Sequence, residues 1–291
     1  MLIQQDNHPP VTSYQAGVQT LTSAGVGVNA GRPALTLEVG TDLDPGIRRR
    51  QEPNEDTLAV TRGVIPAISS KPFVLLIVAD GMGGQADGQE ASQLAVQSLS
   101  EYVSASLRLQ QATSEAFLPL LKAGVKSANR VLYQRNQEQR TDMGTTLTAT
   151  LVVDATAYVA HVGDSRCYLF RKPMGLSQIS QDHSLVAALA AAGIIRPEDI
   201  YTHPRRNLIY RCLGEKSNAE VDTYAVPLAA GDILLLCSDG LWEMVRDPQI
   251  ATLLASPTGD PSHTAHALIQ AALAGGGEDN VSALVARVSN V

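Results

Sequence analysis

The sequence predicts an α+β domain: mostly antiparallel sheets with helices packed on their outer faces. Three observations carry that reading. Residues 74–79 and 233–237 are unbroken apolar runs rich in Val, Leu and Ile, and each leads into an Asp-Gly pair. They are too short to cross a membrane and have the composition of fully buried strands. Two long amphipathic stretches follow one another between about residues 86 and 138, with strand-like segments on either side. That order lacks the regular strand–helix alternation of a doubly wound parallel sheet.

The chain of 291 residues can bury one large core, or a core plus a small appendage. Its formal net charge of −7 argues against nucleic acid as the main partner, which needs a basic footprint. Cys167, Cys212 and Cys237 are odd in number, widely spaced and set among apolar residues. They predict buried thiols in a reducing compartment, not a disulfide framework or a zinc site. Residues 1–10 lack the basic head and apolar core of a signal peptide. No apolar run approaches the roughly 20 residues of a spanning helix. The expected location is cytoplasmic.

Residues 1–34 are rich in Gly, Ser, Thr, Gln and Pro and predict a loosely structured extension. Alternation from about residue 34 marks the first strand, and Asp44-Pro45-Gly46 a turn. Arg48-Arg49-Arg50 and Asn54-Glu55-Asp56 precede a short strand over 57–61. The first buried run then meets Asp80-Gly81-Met82-Gly83-Gly84, whose glycines permit close backbone approach or positive φ. Taken alone, Asp80 is as readily a helix cap as a ligand. Ala91, Leu94, Ala95, Leu99, Tyr102, Val103 and Leu107 share one face of a helix over 86–107. Phe117, Leu120, Leu121, Val125, Ala128 and Leu132 do so over 114–138. Segments 145–153, 157–162 and 166–170 read as strands. Gly163-Asp164-Ser165 between the last two predicts a hairpin turn, with Asp164 a turn residue. A short helix over 182–192 starts near Asp182 or Ser184 and stops at Gly193. Residues 194–214, with Arg205, Arg206 and Arg211, predict an irregular, exposed segment. Strands over 221–226 and 233–237, helices over 247–256 and 260–274, and a last strand over 281–288 complete the chain.

Three carboxylates share a local context. Asp80 and Asp239 end buried strands ahead of glycine, and Asp279 leaves a glycine-rich loop ahead of a strand. Strand ends far apart in sequence can converge on one sheet edge. Grouped there without a partner, carboxylates repel one another and their pKa values rise. A hard cation removes that penalty, and an all-oxygen set without Cys or His selects Mg2+ or Mn2+ over zinc. Glu55 and Asp56, also just ahead of a strand, are placed to join the group. The arginine run 48–50 is by default a solvated face. His161 and His183 read as structural residues rather than ligands.

Seven motifs together resemble the metal-dependent serine/threonine protein phosphatases, the PPM or type 2C family, in its bacterial form. They are Asn54-Glu55-Asp56, Asp80-Gly81-Met82-Gly83-Gly84, Met143-Gly144-Thr145-Thr146-Leu147, Gly163-Asp164-Ser165-Arg166, Gln181-Asp182-His183-Ser184, Cys237-Ser238-Asp239-Gly240-Leu241 and Glu278-Asp279-Asn280. They stand in family order across residues 35–291. The resemblance implies a four-layer α-β-β-α sandwich with metals at one edge of two central sheets. It also implies hydrolysis of phosphoserine and phosphothreonine on proteins by a metal-activated water, without a covalent phosphoenzyme. Asp80 would bridge two metals, and Asp239 and Asp279 would complete the first. The Gly81 carbonyl, with Glu55 through water, would serve the second. Asp142 would share a third metal with Asp239, and Asp56 would support the ligands from behind. An arginine upstream of Asn-Glu-Asp would clamp the phosphate. The family's spacing falls on Gln51, so Arg50 is the first choice and Arg49 the alternative. Met82 stands where some members carry His, which leaves the leaving-group proton donor unassigned. Residues 166–214 would include a flap. A partner serine/threonine kinase and a monomeric state belong to the same expectation. The chain has neither a Cys-Arg nucleophile loop nor the Asp-x-Asp pair of aspartyl phosphotransferases. A non-catalytic regulatory module is the rival reading. It predicts a broken metal set, whereas Asp80, Asp239 and Asp279 are all present.

Overall fold

The computed structural model describes residues 35–290, apart from 69, 84–85, 110–113 and 257–258. The expected extension over 1–34, and Gly84, lie outside the described residues. Three strands, β1 (Leu35–Asp44), β2 (Asp56–Ile65) and β3 (Lys71–Met82), open the chain, followed by helices α1 (Ala86–Leu109) and α2 (Phe117–Gln139). Next come β4 (Gly144–Thr145), β5 (Leu147–Val153), β6 (Thr156–Val162), β7 (Arg166–Arg171) and β8 (Gly175–Gln178). Helix α3 (Leu185–Ala191) precedes β9 (Asp222–Pro227) and β10 (Ile233–Cys237). Helices α4 (Asp239–Trp242), α5 (Asp247–Leu254) and α6 (Pro261–Ala274) lead to β11 (Val281–Asn290).

The strands form two antiparallel sheets, ordered β1-β11-β10-β7-β8 and β2-β3-β5-β6-β9, with β4 paired to the end of β3. The apolar run of β3 is continuous because both of its faces are buried. Phe73, Leu75, Ile77 and Ala79 join the core under α1 and α2, which also holds Ala91, Leu99, Val103, Leu121 and Leu132. Val74, Leu76 and Val78 face the other sheet and meet Leu234, Leu236 and Leu284. Strand β10 divides the same way, with Ile233, Leu235 and Cys237 turned toward Leu241, Ile250, Leu268 and Ile269 of α4 to α6. Three cores between four layers result, and the α-β-β-α sandwich is the observed architecture. Each fully buried Leu or Ile contributes about 1.5–3 kcal/mol, so the β3 and β10 runs hold the layers together.

Several local expectations are corrected. Gly163-Asp164-Ser165 does not close a hairpin: β6 pairs with β5 and β9, while β7 pairs with β10 and β8. The three residues carry the chain from one sheet to the other, because each flanking strand finds its partners in a different layer. Cys167 and Cys237 are buried, but Cys212 is only partly so, beside Glu215 on a surface segment. The segment after α3 is not wholly irregular. It contains a 3-10 turn at Pro197–Tyr201, and Leu213 is buried where it bridges Thr145. Strand β8 and the short helix α4 carry no periodicity long enough to read from sequence. Ser184 does cap α3, accepting from the Ala187 N–H at 3.3 Å. No helix among the described residues is long and apolar enough to cross a membrane.

Candidate active site

The C-terminal end of β3, the start of α4 after β10, and the loop ahead of β11 meet at one edge of the sandwich. Strand pairing decides part of this. Asp56 lies opposite Asp80 across the β2–β3 ladder, and β10 and β11 are neighbours. A cavity of about 170 Å³ opens there, lined by Arg49, Glu55, Asp80, Gly81, Met82, Thr146, Asp164, Asn207, Ile209, Asp239 and Asp279.

Hydrogen bonds set Asp80, Glu55 and Asp56 in place. The Asp80 N–H donates to Thr146 Oγ1 at 3.0 Å, and the Asp80 carbonyl accepts from the Thr146 N–H at 2.8 Å and Thr145 Oγ1 at 2.9 Å. The Gly81 N–H donates to the Glu55 carbonyl at 3.0 Å. A Cβ on Gly81 would lie 1.9 Å from the Gly88 carbonyl oxygen, so the turn at the end of β3 admits only glycine. Asn280 joins the two flanking loops, accepting from the Glu55 N–H at 2.8 Å and donating to the Pro45 carbonyl at 2.9 Å. Ser238 Oγ donates to Asp56 Oδ2 at 2.6 Å, just before Asp239. Asp56 is buried and does not line the cavity.

Burial first, then the charges of Asp56, Asp239, Asp279 and Asp164, hold the Asp80 carboxyl well above its usual range. Asp239 is raised for the same reasons, with Asp164 its strongest charged neighbour. Burial pushes Asp56 up to about 7 despite hydrogen bonds from Ser238 and Ser282. Asp164 also rises to about 7, through burial and the charge of Asp182. Arg49 brings a positive charge to Asp279 and Glu55. Arg49 donates from Nη1 to Asp279 Oδ1 at 2.6 Å, from Nη2 to Glu55 and from Nε to Glu52 at 3.0 Å. Burial opposes its charge, yet these carboxylates outweigh burial and raise it above the ordinary guanidinium value.

The donor set fits a hard cation. Glu55 Oε1, Asp56 Oδ1 and Asp239 Oδ1 are shut off from solvent with no hydrogen-bond partner. A buried acceptor left unpaired costs about 1–3 kcal/mol, more when charged, and a cation is the partner that answers several at once. Among the described residues no three His, Cys, Asp or Glu side chains close into a single ion cage.

The structure brings Asp80, Gly81, Glu55, Asp239 and Asp279 to one cavity. It does not bring Arg50, which is exposed and absent from the lining. The Ile47 and Arg48 N–H groups bond the Gly277 carbonyl at 2.8 and 3.1 Å, which turns Arg49 inward and leaves Arg50 facing solvent. Asp142 is likewise exposed and outside the lining, two residues ahead of β4. His161 and His183 are buried and do not line the cavity. Asp164 is the residue that the hairpin reading missed. It is 5% exposed, and its carbonyl accepts from Trp242 Nε1 at 2.9 Å. Arg166 stacks 3.6 Å above the Trp242 ring and forks onto Asp182. A strand-turn-strand pattern reads alike whether the chain turns back or crosses between sheets, so only the motif resemblance marked this position. Asn207 and Ile209 come from the segment between α3 and β9, where Arg206 reaches Glu243 and Glu278, both at 3.0 Å.

Residues 45–268 match the protein phosphatase 2C family. The serine/threonine phosphatase Stp of Listeria monocytogenes is 40% identical over 225 residues, covering 77% of this chain and 87% of that protein. The crystal structure of the serine/threonine phosphatase PstP of Mycobacterium tuberculosis superposes with a TM-score of 0.75 at 35% identity. It covers 87% of this chain and 99% of that one. A PstP catalytic domain solved with two manganese ions gives 0.74 at 34% identity, covering 88% of this chain and 100% of that one. The chain belongs to the protein phosphatase 2C family of serine/threonine phosphatases.

Proposed function

We propose that this enzyme removes phosphate from phosphoserine and phosphothreonine on proteins, using two divalent cations, Mg2+ or Mn2+, held at the cavity. The observation that carries the metal reading is the convergence of Asp80, Asp239 and Asp279, with buried oxygens of Glu55 and Asp239 left unpartnered. Asp80 would bridge the two cations, Asp239 and Asp279 would complete the first, and the Gly81 carbonyl with Glu55 through water would serve the second. Asp142, which is exposed, would share a third cation with Asp239. Cations held there would supply an acidified water and offset charge on the phosphoryl oxygens. The two manganese ions in the related PstP structure support the choice of metal.

The chain's own residues do the rest. Arg49 exchanges its carboxylate partners for the phosphate and grips two oxygens with one planar fork. Asn207 and Ile209 cover the cavity from the flap side, and Met82 closes the β3 side without offering a proton. A serine/threonine kinase is the functional counterpart, and the enzyme acts as a monomer in the cytoplasm.

The test is hydrolysis of p-nitrophenyl phosphate and of a phosphothreonine peptide, with Mn2+ and after full chelation. Activity appears with Mn2+, vanishes with the chelator and is abolished in Asp80→Asn. Turnover that survives chelation, or an Asp80→Asn variant as active as the wild type, rejects the two-cation reading.

A further inference from the structure

Gly163 has φ of +109°, and a Cβ there would lie 2.6 Å from Thr146. Glycine alone fits, so this residue has no side chain to anchor the crossing between the sheets. His183 anchors it instead. The His183 N–H donates to the Gly163 carbonyl at 2.7 Å, and the Gly163 N–H donates to His183 Nδ1 at 3.0 Å. The next residue, Asp164, is part of the cavity wall beside Asp239.

The imidazole is itself oriented. With Nδ1 accepting, the ring proton belongs on Nε2, and Asp222 Oδ2 accepts it at 3.2 Å. Arg211 Nη1 donates to the other Asp222 oxygen at 3.1 Å and lies 2.9 Å from Nε2. The ring is 2% exposed in its side chain and packs on His161 with centroids 4.9 Å apart. Burial holds its pKa below the ordinary value against the opposing pull of Asp222, and the facing guanidinium acts with burial.

The main chain of this stretch also holds the flap. The Tyr210 N–H donates to the His183 carbonyl at 2.9 Å, the Leu185 N–H donates to the Leu208 carbonyl at 2.8 Å, and Ser184 bridges Ile209. Asn207 and Ile209 line the same cavity as Asp164. One buried residue outside the cavity thus grips two parts of its wall.

We infer that His183 is a positioning residue of the phosphatase reaction: its imidazole, oriented by Asp222, fixes the Gly163–Asp164 turn beside Asp239, and its backbone ties the flap to that turn. The inference rests on the phosphatase reading of the site. Its test includes a measurement that does not depend on activity. Asn places Oδ1 two bonds beyond Cβ, where His has Nδ1, so His183→Asn keeps an acceptor for the Gly163 N–H and His183→Leu removes it.

Amide hydrogen exchange at Gly163 and Asp164 is compared in the wild type and both variants, together with kcat and KM on p-nitrophenyl phosphate in Mn2+. Exchange at these two amides should rise at least tenfold in His183→Leu and stay near wild type in His183→Asn, with distant β3 and β10 amides unchanged. The kcat should fall at least tenfold in the Leu variant, recover to within about threefold in the Asn variant, and leave KM within twofold throughout. Wild-type exchange and kcat in His183→Leu overturn the inference. So does an equal loss in both variants that tracks exchange across the whole molecule, which marks a role in stability alone. If His183→Leu does not fold, His183→Asn decides: retained protection and kcat support the role, and loss of either rejects it. A wild-type enzyme inactive in Mn2+ would sink the phosphatase reading, while the exchange at Gly163 would still report whether His183 holds the turn.

Discussion

Chelation should give this enzyme an inverted pH response. The perturbation is removal of divalent cations, followed by a rise from pH 6.5 to 8. Asp56 and Asp164 are pushed up to about 7, and Asp80 and Asp239 are held well above the carboxylate range. The unfolded chain releases these protons near pH 4. Across the window the folded state therefore holds more protons than the unfolded one, and stability falls as pH rises. Each group near 7 contributes a loss of about 1 kcal/mol, and a carboxyl that stays protonated throughout loses at most about 2 kcal/mol. His161, lowered to about 4, and His183, also lowered, run the other way. They are neutral in the fold and partly charged unfolded at pH 6.5, and together oppose the loss by under about 1 kcal/mol. The balance is a loss of roughly 1–5 kcal/mol, or roughly 2–20 °C in Tm for a chain of this size. Differential scanning calorimetry in EDTA and in Mn2+ checks it. The EDTA series should slope down with pH, the Mn2+ series should be nearly flat, and Asp80→Asn in EDTA should slope less. A Tm in EDTA that stays constant or climbs between pH 6.5 and 8 refutes the reasoning.

The remaining predictions concern single side chains. Arg49→Ala frees Asp279 and Glu55 and removes the phosphate fork. Mn2+ should bind more tightly by calorimetry, while kcat/KM on p-nitrophenyl phosphate falls about 10–1,000-fold, the loss of a bidentate charged contact worth roughly 1.5–4 kcal/mol. Unchanged values for both would return the clamp to Arg50. Asp142→Ala is an exposed change and should leave Tm within about 2 °C, since such substitutions stay near ±0.5 kcal/mol. It should weaken only the weakest phase of a Mn2+ titration, and a titration identical to wild type removes Asp142 from the site. Gly81→Ala puts a Cβ 1.9 Å from the Gly88 carbonyl. Loss of Mn2+ binding or of folded protein is expected, and normal Mn2+ affinity would show that the turn relaxes freely.

The buried strands were legible in sequence because two-sided burial needs an unbroken apolar run, as in β3 and β10, and the helices because 3.6-residue periodicity survives over 23 or 24 residues. Strands β4 and β8 and helix α4 are too short for any period to show. Sheet membership was not legible at all: β6 and β7 are three residues apart and lie in different layers. A turn's composition records its own φ and ψ, not the partners that the next strand finds.

The same division runs through the site. By itself the sequence determined the chemistry on offer: strand-end carboxylates, glycines beside them, oxygen donors without Cys or His, and the family those motifs mark. Each of these follows from local residue type and spacing. Only the tertiary structure decided that Arg49 and not Arg50 enters the cavity, that Asp164 joins Asp239, and that His183 bonds both the N–H and the carbonyl of Gly163. Those choices depend on which backbone groups pair across 230 residues, as Ile47 and Arg48 do with Gly277, and on which face of a layer a side chain meets. Such pairings are long-range and one residue's shift reverses them, so no local pattern carries their sign.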